Sequence, residues 1–60
     1  MRTYEIYLCG ISRLTESCGT SFIKIPIRAN YLLEAKFKAI KECEKILTKI
    51  RVIECKEIAA

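Results

Sequence analysis

From Asn30 to Ile50, apolar residues recur every three or four positions. At the helical step, Leu32, Ala35, Ala39, Ile40, Cys43, Ile46, Leu47 and Ile50 share one broad sector, and Glu34, Lys38, Lys41, Lys45 and Thr48 lie roughly opposite. This is the stripe of an amphipathic helix laid on a core, and it predicts a helix over about residues 30–49. Asn30 suits the N-cap, because its side chain can accept a bond from a free N–H of the first turn. Glu34 and Lys38 form a well-oriented i,i+4 pair. Lys36 projects into the apolar sector, where its stem is expected to lie over the sheet with the ammonium reaching water. Leu33 and Phe37 stack along the edge of the stripe. They read equally as the rim of the core and as an oligomer interface.

The rest of the chain alternates with a period of two. In Thr3–Cys9, Tyr4, Ile6 and Leu8 point one way and Glu5, Tyr7 and Cys9 the other. In Ser21–Arg28, Ile23, Ile25 and Ile27 line one face, and Phe22, Lys24, Pro26 and Arg28 line the other. Pro26 cannot donate a ladder hydrogen bond, so this strand belongs at a sheet edge. Arg51–Lys56 reads as a third strand with Ile53 and Cys55 inward, favoured over a longer helix by the β-branched cluster Ile50, Val52 and Ile53. Residues 10–19 leave two readings open. One is a ten-residue loop. The other has Gly10 as a bulge, a strand resuming through Leu14, and a projecting ribbon with Arg13 near its tip.

These elements give an α+β fold of order ββαβ. Strands over about residues 3–9, 21–28 and 51–56 form a three-stranded antiparallel sheet. If the proline-bearing strand is an edge, the sheet order is 2-1-3, with the helix packed on one face. The other face is left bare, carrying Tyr7, Cys9 and Phe22 with Glu5, Lys24 and Arg28. A mixed aromatic and charged surface of this kind is where a partner is expected. Tyr7, Arg13, Phe22, Lys24 and Arg28 are the candidate partner-binding residues, and Leu33 and Phe37 the candidate oligomer interface.

The chain of 60 residues is one small domain. At this size folding buries only about 60% of the unfolded surface, so the core is marginal and a second subunit is an expected support. No apolar run approaches a membrane span, and the N-terminus lacks the apolar core of a signal peptide, so a cytoplasmic location is expected. The net charge of +4 is spread along the chain, and Glu34, Glu42 and Glu44 interrupt the helical lysines. That balance permits contact with nucleic acid without demanding it.

Four cysteines, Cys9, Cys18, Cys43 and Cys55, raise three alternatives: buried reduced thiols, disulfides or a four-cysteine metal site. Their spacings lack the close pairs of common zinc sites, and the reduced reading is favoured. Cys18, in a turn-like stretch, is the most accessible by pattern.

The catalytic inventory is thin. Histidine and aspartate are absent, so the usual near-neutral proton shuttle is missing. The serines lack an evident base, and Gly10 and Gly19 do not form a phosphate loop. No enzyme, metal or cofactor is expected. What remains is binding, of a protein through the bare face or a sheet edge, or of single-stranded nucleic acid through aromatics with basic neighbours.

The segments TYEIYLCG and IPIRANYLLEAKFKAIKE resemble a pattern found in small proteins of phages and mobile elements. There a Y-x-I-Y strand is followed by a second strand and an A-x-x-x-x-E-A helix start; here the positions are Tyr4, Ile6, Tyr7, Ala29, Glu34 and Ala35. The resemblance implies a ββαβ fold and a phage or mobile-element setting, and it carries over no catalytic residue. Proteins of that setting often block a host factor. The expectation is therefore a protein-binding inhibitor that forms a homodimer, with nucleic-acid binding through the sheet face as the alternative.

Overall fold

A computed structural model describes residues 1–13 and 19–58. Strand β1 spans Arg2–Ser12, β2 Thr20–Ala29 and β3 Leu47–Ile58, with helix α1 at Leu32–Cys43 between β2 and β3. The three strands form one antiparallel sheet in the order β2-β1-β3, with the helix on one face. This is the ββαβ fold expected from the alternation, and the edge position of β2 accommodates Pro26.

Period-two alternation sorts the central strand cleanly. Tyr4, Ile6 and Leu8 are buried under the helix, paired with Ile27, Ile25 and Ile23 of β2. From the helix, Ala35, Ala39 and Cys43 face them at a spacing of four residues. These small side chains let the helix approach the sheet closely. Ile6, Leu8 and Leu47 are the largest fully buried side chains, each worth about 1.5–3 kcal/mol of burial. With so few large residues inside, the core stays small.

The helix is shorter than its apolar pattern suggests. It ends at Cys43, where the Glu44 N–H donates to the Ile40 carbonyl at 2.9 Å, and β3 begins at Leu47. Leu47 fits the inward face of a helix and of a strand alike, and the β-branched Thr48, Ile50, Val52 and Ile53 decide for strand. The N-cap is Tyr31 rather than Asn30, and it makes no side-chain capping bond. Leu32, expected on the buried stripe, remains 39% exposed. Lys36 is half-buried. Lys38 pairs with Glu34 along the helix (3.0 Å) and ties the helix to β2 by donating to the Arg28 carbonyl (3.0 Å).

Strand β3 is irregular. Its register against β1 slips between Tyr7 and Leu8 and again between Cys9 and Ile11. The first slip makes Ile53 the extra residue, so Val52 and Cys55 pack inward and Ile53 is 48% exposed, against the expectation that it faces in. The second lies opposite Gly10 and contains Lys49, which has a positive φ of 53°. A side chain on Gly10 would meet the Thr48 carbonyl oxygen at 3.0 Å and Leu47 Cβ at 3.1 Å. Glycine is therefore needed where the bulged strand crosses closest. Strand β1 does continue past Gly10, to Ser12; the ribbon expected beyond Arg13, and Cys18 with it, lies outside the described residues.

Candidate functional site: the open face of the sheet

Residues directly opposite on neighbouring strands share a face of the sheet. On the face away from the helix this gives five rows across β2, β1 and β3: Arg28–Thr3–Ile58, Pro26–Glu5–Lys56, Lys24–Tyr7–Glu54, Phe22–Cys9–Arg51 and Thr20–Ile11–Thr48. Tyr7, Phe22, Lys24 and Arg28, four of the residues singled out in the sequence, thus lie on one surface. The bulges of β3 place Arg51 and Glu54 on it together despite their odd spacing.

The centre is an aromatic pair carrying a cation. The Tyr7 and Phe22 rings lie 6.0 Å apart at 32°, and Lys24 Nζ stands 5.4 Å from the centre of the Tyr7 ring. Such a cation–π contact is worth about 0.5–1 kcal/mol at an exposed site and fixes the lysine over the ring. Phe22 is 59% exposed, far more than folding alone requires of a phenylalanine. One row away, Glu5 and Lys56 approach to 3.7 Å. The face therefore offers a flat apolar centre, four cations (Lys24, Arg28, Arg51 and Lys56) and two carboxylates (Glu5 and Glu54). Exposed aromatics rimmed by charges of both signs are a composition also found at protein contact surfaces.

The remaining candidates sit elsewhere. Arg13 lies at the end of the sheet on the helix side, where its backbone N–H donates to the Ile46 carbonyl at 2.8 Å. Its Nε–H is shared between the carbonyls of Glu44 (2.9 Å) and Leu47 (3.1 Å). It holds the turn between α1 and β3. With Ile40, Glu44, Leu47, Thr48, Lys49 and Ile50 it lines an open depression of about 280 Å³. Leu33 and Phe37 lie one turn apart on the helix, across the sheet from the open face, and are 57% and 61% exposed. The site residues thus divide among three places.

Sequence reasoning did not single out Arg51, Glu54 and Lys56 for this face. Strict alternation puts Arg51 and Glu54 on opposite sides, and the residues that break it, Lys49 and Ile53, carry no turn chemistry.

Among the described residues Cys9, Cys43 and Cys55 are free thiols, and no three His, Cys, Asp or Glu side chains cluster to hold a metal ion. Burial, helped by the neighbouring charge of Glu42, pushes the Cys43 thiol above its ordinary pKa. No described helix is long and apolar enough to cross a membrane. No family model matches the chain, and neither the curated proteins nor the solved structures contain a match.

Proposed function

We propose that this protein is a non-enzymatic protein-binding module whose working surface is the open face of the sheet. In the phage or mobile-element setting implied by its sequence pattern, it acts in the cytoplasm by occupying a host factor. The observation that carries the reading is the Tyr7–Phe22 pair, held under Lys24 in the middle of an uncovered sheet face. Exposed aromatics rimmed by charged groups of both signs are the usual anchors of protein interfaces. Homodimerisation belongs to the same reading, with the open face and the Leu33–Phe37 rim as its two candidate surfaces.

Nucleic-acid binding is the second reading, favoured by the same cluster. Two neighbouring rings with Lys24, Arg28 and Arg51 around them are groups on which single-stranded bases stack and phosphates rest. Glu5 and Glu54 weigh against it, since both flank the Tyr7 ring in the central rows and repel a phosphate backbone.

A comparative capture experiment separates the two. The immobilised chain and a Tyr7→Glu/Phe22→Glu variant are exposed to nuclease-treated host extract under reducing conditions. In parallel, labelled DNA and RNA are titrated with salt. The expected result is a protein retained by the parent and lost with the variant. Micromolar binding to nucleic acid that falls steeply with salt would replace this reading with the second.

A further inference from the structure

We propose that the protein bound by the open face is a second copy of this chain, placed by a two-fold axis that runs parallel to β1 between the two sheets. The inference rests on the protein-binding reading above and gives the open face to the homodimer named there, so that a host factor is met by the assembled dimer, which Tyr7→Glu/Phe22→Glu would dissolve. Rotation about that axis lays β1 on β1, and β2 of each copy on β3 of the other, row against row. Lys24 then meets Glu54 of the second copy, and Phe22 meets Arg51. Pro26 meets Lys56, and Arg28 meets Ile58. Each contact occurs twice, as an isologous interface demands.

Charge complementarity supports this arrangement, which also covers all five rows. On this face β2 contributes two cations, an aromatic and a proline but no carboxylate, while β3 contributes Glu54 in the same row as Lys24. Arg51, in the row of Phe22, lands on an exposed ring that an arginine can stack upon. Of the charged groups, Glu5 alone meets its own copy, and each chain already pairs it with Lys56 at 3.7 Å. Tyr7 meets Tyr7 on the axis, where a sheet separation of about 10 Å accommodates two interleaved aromatic layers.

The area sits at the lower bound for a specific interface: the 38 by 15 Å outline of the molecule caps each face at about 570 Å², so two copies remove at most on the order of 1,100 Å², against the ~1,000 Å² such an interface needs. The Leu33–Phe37 rim is the weaker surface, because two side chains bury too little. A two-fold axis perpendicular to the strands is the competing register. It leaves the Arg28–Thr3–Ile58 row uncovered and pairs Glu54 with Arg51.

The test is a charge swap read by sedimentation equilibrium in reducing buffer, from about 1 to 100 µM, with circular dichroism confirming the fold of each variant. The parent is expected to be a dimer. Glu54→Lys and Lys24→Glu alone should each weaken it by about tenfold or more, and the Lys24→Glu/Glu54→Lys double variant should restore it to within about threefold. A monomeric parent at the highest concentration overturns the proposal. So does a double variant no tighter than the singles, or rescue of Glu54→Lys by Arg51→Glu. Loss of the dimer in Leu33→Ser/Phe37→Ser with no effect of the charge variants overturns it too. A monomeric parent that still retains another protein through Tyr7 and Phe22 leaves the protein-binding reading standing; a monomer that binds only nucleic acid removes both.

Discussion

The Nε–H of Arg13 donates to the backbone carbonyl of Glu44, 31 residues along the chain, at 2.9 Å. Glu44 is the C-cap of α1, so a cation sits at the negative end of the helix dipole. The same N–H reaches the Leu47 carbonyl at 3.1 Å, and the Arg13 backbone holds Ile46. One residue thereby joins the end of β1, the end of the helix and the start of β3. Arg13→Ala is expected to lower stability by about 1–2 kcal/mol, since it leaves carbonyls of the turn without their charged donor. Chemical denaturation checks this, and an unchanged midpoint would mean that water replaces the guanidinium at no loss.

Gly10→Ala is expected to destabilise by about 1–3 kcal/mol, because the added methyl meets backbone of β3 rather than a movable side chain. Gly19→Ala is the matched control. Nothing lies within 4 Å of its added Cβ, so its thermal midpoint should stay close to that of the parent.

Lys49 holds a left-handed backbone, which Gly and Asn adopt readily and β-branched residues resist. Lys49→Val should therefore cost about 1–2 kcal/mol, whereas Lys49→Asn should be neutral or stabilising. Equal unfolding midpoints for the two variants would count against the bulge at this position.

The raised Cys43 pKa sets a pH dependence. In the unfolded chain the thiol ionises at its ordinary value of about 8.5, below the pKa it has when buried. Its contribution is thus whole at neutral pH and below, and is lost as pH rises through the folded value. The parent should lose stability on the alkaline side more steeply than Cys43→Ala, in paired melts across that range. Thiol reagents at mildly alkaline pH should modify Cys43 more slowly than the half-buried Cys9 and Cys55.

Legibility of the fold in the sequence followed the range of the physics involved. Alternation along Tyr4–Leu8 and Ile23–Ile27 carried the sheet, because each side chain's facing depends only on its neighbours. Pro26 carried the strand order, since a missing donor is a local fact with a global consequence. The end of the helix was misread at Leu47, whose burial satisfies both periods. Half of the open face was legible as well: Tyr7, Phe22, Lys24 and Arg28 follow from parity alone. Its β3 half was not, because Arg51 and Glu54 share that face only through a bulge at Ile53. The Arg13 clamp spans 31 residues and leaves no periodic trace.

The two outer strands of this sheet are both poor templates for further pairing. In β2, Pro26 interrupts the row of donors; in β3, two slips in register and the left-handed Lys49 bend the row out of line. A fourth strand from another molecule finds no continuous ladder on either side. The sheet is therefore terminated laterally, and ordered fibres grown strand by strand are disfavoured even when the chain is abundant. Contact between molecules is confined to surfaces built from side chains, where single charges decide the fit.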